Sequence, residues 1–300
     1  MNDFRNKTAV ITGAGSGFGR EFALIAAELG MHVVLVDVQA DALHAVQAEL
    51  EAKGATVLAR TVDVSDGKQV DALADETFAR FGTVHLLFNN AGVGTAGLLW
   101  EHSERDWAWT LGVNLWGVVH GIRAFVPRML AAANAAPDYR GHVVNTASMA
   151  GLVNPPASGA YNVSKHAVVS LSETLHHDLA LVTEQVRCSV LCPYYVPTGI
   201  HASGRNRPAD MANAAPPTRS QRVAGAMVAK AVTSGRVTAA DVARATFEAI
   251  RQDRFYIVSH PKALDGVRQR AEDIVALRNP TDPFAAQPAV RDALIQALRE

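Results

Sequence analysis

Short aliphatic and β-branched runs alternate with longer stretches of helical period through most of the chain. This is the pattern of a doubly wound α/β fold, a parallel sheet with helices on both faces. The first run, Lys7 to Thr12, stops at Gly13-Ala-Gly-Ser-Gly-Phe-Gly19 and gives way to a helix over Arg20 to Leu29. Strand His32 to Val36 ends on Asp37 and precedes a helix over Ala40 to Ala52. Strand Thr56 to Val62 leads through Asp63-Val64 to a helix over Gln69 to Phe81, and strand Val84 to Phe88 runs into Asn89-Asn-Ala-Gly92. One long helix is expected over Glu104 to Leu130, with Asn114 in its middle, where an amide is a poor helix former. A polar link over Asn134 to Arg140 leads to strand His142 to Thr146 and then Ser148. A helix from Tyr161 to about Leu181 returns to strand Val186 to Leu191 and the turn Pro193-Tyr-Tyr-Val-Pro-Thr198.

From Gly199 to about Gln221 the periodicity fails. A long irregular insertion at the ligand end of a sheet reads as a substrate lid, here at about 199–222. Arg205, Arg207, Arg219 and Arg222 lie in or beside it, either solvated or aimed at an anionic substrate. Helix returns over Val223 to Ser234, Thr238 and Asp241 resemble a capping box opening a helix over Ala239 to Gln252, and Phe255 to Val258 is a short last strand. A helical C-terminal extension at about 260–300 adds Ala263 to Leu277 and Ala289 to Leu298. In the latter, Val290, Leu294, Ile295 and Leu298 form an apolar stripe that either this subunit or another must cover.

Composition narrows the partners. With 49% hydrophobic and 19% charged residues in 300, the chain is an ordinary globular one, and 1–300 is expected to form a single domain. A formal charge of −1 and a pI near 6.8 offer no basic field for nucleic acid or a membrane surface. The N-terminus lacks a signal-peptide layout and no apolar stretch reaches the ~18 residues of a membrane span, which points to the cytoplasm. Cys188 and Cys192 share one strand, roughly 13 Å apart at the strand rise and beyond disulfide reach. No histidine or cysteine spacing suggests a metal site, and His176-His177 reads as a solvated helix edge.

The candidate chemistry falls at the carboxyl ends of the strands, where ligands collect in such sheets. A glycine turn between strand and helix lets backbone approach a pyrophosphate at the helix N-terminus. Asp37, eighteen residues after Gly19, stands where an acid would accept hydrogen bonds from a ribose 2′-hydroxyl and repel a 2′-phosphate, which favours NAD over NADP. Alternatively, Asp37 simply caps the following helix. Neither Ser16 nor Val38 supplies a positive charge for a phosphate. Tyr161 and Lys165 are four apart on one helix face, and a nearby ammonium is expected to lower the phenol pKa from its usual ~10.

Thr12-Gly-Ala-Gly-Ser-Gly-Phe-Gly19, Asp63-Val64, Asn89-Asn-Ala-Gly92, Asn114, Ser148 and Tyr161-Asn-Val-Ser-Lys165 together resemble the short-chain dehydrogenase/reductase family, from about Lys7 to Val258. The resemblance implies a Rossmann-like, three-layer αβα domain with seven parallel strands, assembled as a homotetramer or homodimer. It implies NAD held by Gly13, Ser16, Gly17, Phe18, Gly19 and Asp37, with Asp63 and Val64 at the adenine and Asn90, Ala91 and Gly92 near the ribose. Pro193, Val196 and Thr198 would face the nicotinamide. It further implies Tyr161 as acid/base, Lys165 lowering its pKa and holding the nicotinamide ribose, Ser148 polarising the substrate oxygen, and Asn114 positioning a water. The expected activity is hydride transfer between NAD and a hydrophobic secondary alcohol or ketone. An NADP-dependent reductase and a non-catalytic dinucleotide-binding regulator are the alternatives.

The family usually has glycine after the proline at 193, and this chain has Tyr194. The aromatic either narrows the pocket or packs away from it. Tyr194, Tyr195, Met149, Leu152 and Val93 are therefore candidate substrate contacts.

Overall fold

The computed structural model describes residues 1–299; Glu300, the end of the expected extension, lies outside the described residues. Seven strands are present among them: β1 (Thr8–Thr12), β2 (His32–Asp37), β3 (Val57–Thr61), β4 (Leu86–Asn89), β5 (Gly141–Thr146), β6 (Val186–Cys192) and β7 (Tyr256–Val258). They form one sheet in the order β3-β2-β1-β4-β5-β6-β7, every neighbour parallel. The chain winds outward from β1 to β3, then returns to place β4 on the other side of β1. The crevice opened by that reversal is the usual ligand position in an open parallel sheet.

Strand alternation splits the core in two. Ala9, Ile11, Val33 and Leu35 face α1 (Gly17–Glu28), α2 (Ala40–Ala52) and α8 (Ala239–Arg251), packing with Phe22, Leu43 and Phe247. Val10, Val34 and Val36 face the other way, where α3 (Gly67–Phe81), α5 (Gly117–Ala135) and α6 (Gly159–Val182) contribute Leu73, Phe125 and Leu179. Both faces of the central strands are thereby covered, which is why these strands read as continuous apolar runs.

The long helix expected over Glu104 to Leu130 is instead two helices, α4 (Glu104–Leu111) and α5, joined by a π-helical turn at Gly112–Trp116. Asn114 sits in that turn, wholly buried. A widened i→i+5 turn re-aims one side chain inward without ending the helix, so amphipathic period runs through it unaltered. Helix α7 (Arg219–Thr233) starts four residues before the expected Val223, because Thr218 and Gln221 form a reciprocal capping box. The chain continues into α9 (Leu264–Val275) and α10 (Pro288–Arg299), with α10 packed on α7. Among the described residues no helix is long and apolar enough to cross a membrane.

Candidate active site

The glycine turn joins β1 to α1 at the crevice. Gly13 holds φ at 68°, and a Cβ there would lie 3.0 Å from Ala91 Cα. Gly19 faces inward under the turn, where a Cβ would fall 2.1 Å from the Gly13 carbonyl oxygen, so helix and turn can close together only over glycine. Gly13, Ser16, Gly17 and Phe18 line the cleft, whereas Gly19 does not. Ser16 is the N-cap residue of α1 and its hydroxyl makes no capping bond, while the first-turn N–H groups of a helix lack intrahelical partners. Such a turn can hold a phosphate.

Asp37 ends β2 beside it. Its Oδ2 accepts from Gly15 N–H at 2.8 Å and its Oδ1 from Gln39 N–H at 2.9 Å. The N-cap of α2 is Gln39, so Asp37 ties the glycine turn to β2 and is not the helix cap. Asp63 Oδ1 accepts from the Ser65 N–H and hydroxyl, shaping the turn that presents Val64. Asn90 staples three strand ends: its N–H donates to Thr12 Oγ1 at 2.8 Å, its Nδ2 to Thr12 O at 2.9 Å, and its Oδ1 accepts from Thr146 Oγ1 at 3.2 Å. Asp63, Val64, Asn90, Ala91 and Gly92 all line the cleft.

Ser148, Tyr161 and Lys165 meet at the end of β5. The Ser148 hydroxyl accepts from Ala150 N–H at 3.1 Å, and Lys165 Nζ donates to Thr146 O at 2.9 Å, 5.7 Å from the Tyr161 ring centre. Burial raises the Tyr161 phenol above its usual range, opposed by the polar Ser148 hydroxyl. The lowering expected from Lys165 is therefore not the outcome: desolvation of the phenolate dominates, and the phenol is raised. Burial also pushes Lys165 down, to about 8. Asn114 does not line the cleft; its Oδ1 accepts from Val93 N–H at 2.8 Å and its Nδ2 donates to Val93 O and Ser164 Oγ at 2.9 and 3.0 Å. The amide thus brackets Val93 through that residue's N–H and carbonyl and spends its second donor on Ser164.

The cleft encloses about 1920 Å³ and continues past Pro193, Val196 and Thr198 to the C-terminal helices. Val93, Met149, Tyr194 and Tyr195 line it; Leu152 does not, and packs with Val168 and Val190 against the sheet. Tyr194 is half exposed, its ring 4.5 Å from Tyr195 and 5.6 Å from His260. The four arginines are committed within the chain: Arg205 donates to Gly199 O and Ala202 O, Arg207 to Asp106, Arg219 to Ala297 O and Arg222 to Pro217 O. Residues that sequence reasoning missed include Asp106, Trp109 and Phe284, all on the cleft wall, and buried His102, neither of whose ring nitrogens has a hydrogen bond; Leu294, read only as part of an apolar stripe, also reaches that wall. The apolar period of the last helix was the available signal for Leu294; no motif marks the others.

Residues 7–209 match the family model described as short chain dehydrogenase. The chain is 37% identical over 290 residues to the 1-deoxy-11-beta-hydroxypentalenate dehydrogenase of Streptomyces exfoliatus, covering 95% of each. It resembles the structure of a short-chain dehydrogenase/reductase from Burkholderia phymatum in complex with NAD, at 55% identity and a TM-score of 0.92, over 95% of this chain and 100% of that one. It is also similar to a metagenomic short-chain oxidoreductase in complex with NADP, at 33% identity and a TM-score of 0.59, over 63% and 83% of the two chains. A match of this extent, on a sheet and strand-end residues of this arrangement, makes the chain a member of the short-chain dehydrogenase/reductase family of oxidoreductases.

Proposed function

We propose that the protein is an NAD-dependent dehydrogenase/reductase that interconverts a secondary alcohol and its ketone, with Tyr161 as the acid/base and a substrate that is largely hydrophobic. The observation that carries this reading is the convergence of Ser148, Tyr161 and buried Lys165 on the same cleft as the glycine turn. The cradle suits a dinucleotide: Gly13, Ser16, Gly17 and Phe18 line the cleft at the N-terminus of α1, and at Gly13 a Cβ would press on Ala91 and Asn90. Gly13, Ser16, Gly17 and Phe18 would hold the pyrophosphate, Asp37 the adenosine ribose, Asp63 and Val64 the adenine, and Pro193, Val196 and Thr198 the nicotinamide end. Gly19 contributes by packing. Asp37 favours NAD, as does the NAD in the Burkholderia structure; the NADP in the metagenomic one makes cofactor choice the first property to measure.

The bound nicotinamide supplies the hydride acceptor for alcohol oxidation and the donor for ketone reduction. Tyr161 Oη takes the alcohol proton in one direction and returns it in the other. Ser148 Oγ donates to the substrate oxygen and orients it against the phenol. Burial keeps the proton on Tyr161 in the free protein, which suits donation to a ketone; the Lys165 ammonium makes its removal less costly. The lid expected at about 199–222 is shortened to 199–218, because α7 begins at Arg219, and Val93, Met149, Tyr194 and Tyr195 form an apolar wall against the substrate.

Tyr161→Phe should lower turnover by about a hundredfold or more while NAD binding stays within about threefold, since general acid–base catalysis contributes about 10²–10⁴. Steady-state rates over a panel of alcohols, with NAD and NADP compared, give the first quantity, and calorimetry gives the second. Substantial residual turnover would overturn the acid/base assignment.

A further inference from the structure

We propose that Asp106 and Arg207 are the latch that holds the 199–218 lid over the substrate end of the cleft, and so are positioning residues for substrate binding. The proposal rests on reading that cleft as an alcohol/ketone site. Arg207 Nη1 donates to Asp106 Oδ1 at 2.6 Å, with side-chain exposures of 16% and 5%. In each of the other ion pairs among the described residues at least one partner is more than a third exposed. Solvent screening that leaves most surface pairs nearly worthless is therefore weakest here.

Further bonds hold both partners. Asn213 Nδ2 donates to Asp106 Oδ1 at 3.0 Å, Arg207 Nε donates to Met211 O at 2.8 Å, and the guanidinium lies 5.2 Å from the Trp109 ring centre. One carboxylate on α4 thus gathers residues 207, 211 and 213 of a proline-containing segment that has no sheet and no long helix of its own. Burial works to raise the Asp106 pKa, and the hydrogen bonds from Arg207, Ser103 and Asn213 outweigh it and leave it lowered.

Two other clamps hold the ends of the same segment. Ser203 Oγ accepts from Gly94 N–H at 2.9 Å and donates to Gly94 O at 3.2 Å. Glu101 accepts from the Thr218 hydroxyl and from Ser220 Oγ at 2.5 Å. The stretch between them is attached to α4 through Asp106 and by Arg105 donating to Ala212 O at 2.6 Å. Asp106, Trp109, Arg207 and Asn213 line the cleft, so releasing Arg207 alters the wall the substrate meets. The glycine turn and Asp37 share no contact with the latch. Asp106 also caps α4 through Ser103, independently of Arg207, so a change at Arg207 separates the latch from the helix cap.

The test is Arg207→Met in the full chain, with Arg207→Lys as the conservative variant and Asp106→Asn as the second partner. Arg207→Met should raise KM for the best alcohol about tenfold, change kcat less, and leave the NAD Kd within about twofold, as expected when a closing segment is destabilised but the cofactor site is not. Cleavage by subtilisin within 207–218 should speed up about tenfold, because proteolysis follows the population of the open form. Arg207→Lys should recover part of both effects, and the double variant should lose less than the sum of the two single losses, as befits partners in one interaction. Wild-type KM and cleavage rate in Arg207→Met would overturn the proposal. So would a parallel loss of NAD affinity and of global stability, which would make the pair a general structural tie. If the wild type turns over no alcohol with NAD, the functional reading fails, and the cleavage rates still decide whether the latch exists.

Discussion

At the cofactor end of the cleft, the bonds that fix its shape run between hydrogen-bonded neighbouring strands and use backbone groups: Gly15 N–H to Asp37, and Asn90 to the Thr12 carbonyl. At the substrate end they join groups more than a hundred positions apart through side chains in or beside the lid, from the Gly94 backbone to Ser203, Glu101 to Ser220 and Asp106 to Arg207. The first arrangement is held by the sheet itself and cannot shift without shifting strands. The second hangs on a few polar contacts over a segment with little secondary structure, the kind of region that opens below the global unfolding free energy. A rigid grip suits a cofactor of invariant shape, and a releasable cover suits a substrate that must enter and leave.

Three perturbations would break or sharpen that contrast. The largest effect is expected from Gly19→Ala, whose methyl would meet the Gly13 carbonyl oxygen at 2.1 Å. Overpacking of about 1–3 kcal/mol should appear as a tenfold to hundredfold loss of NAD affinity by calorimetry, with subtilisin cleavage of the lid unchanged. Faster lid cleavage would show that the two ends are coupled.

Asp37→Ala should act at the same end, and more weakly. It removes the acceptor for Gly15 N–H and the charge that disfavours a 2′-phosphate, so the affinity of NAD over NADP, at least about tenfold in the wild type, should shrink. Similar affinities for the two in the wild type would remove Asp37 as the selector.

The smallest effect on the cleft itself should come from pH, which acts on the fold as a whole. His85 and His142 lie at the amino end of the sheet, opposite the cleft, and burial pushes them down to about 4 and about 3. Their folded pKa values are depressed below the unfolded ~6.5, so the unfolded chain binds more protons between these values. Their contribution to stability is complete above about pH 6.5 and is lost as pH falls towards 4 and 3. Thermal unfolding should show Tm falling over that range, and His142→Gln should flatten the fall. Because these groups belong to neither end of the cleft, NAD affinity at pH 6 should match that at pH 7; a selective loss would contradict the division.

How much could be read beforehand differs between the same two ends. The parallel sheet, the glycine turn, Asp37 and the pairing of Tyr161 with Lys165 were legible because each is written in local order: period 2 against period 3.6, glycine where backbone crowds backbone, and an i,i+4 pair on one helix face; Ser148 came from the family resemblance. Even the start of α7 was present, as Thr218 and Gln221, though its apolar period alone points later.

Only the tertiary structure decided the rest. The break in the long helix at Asn114 depends on a partner, Val93, on another element, and a π turn leaves the apolar period intact. Leu152 turned towards the sheet and not the cleft, and the Tyr161 pKa rose where the nearby ammonium alone predicted a fall. Both outcomes follow from burial, which is a property of the whole packed chain. Arg207 shows the same thing most plainly: an arginine in an irregular loop carries no local mark of the carboxylate it will meet, and Asp106, about a hundred residues earlier, shares its energy with Arg207 only once the fold has excluded water from both.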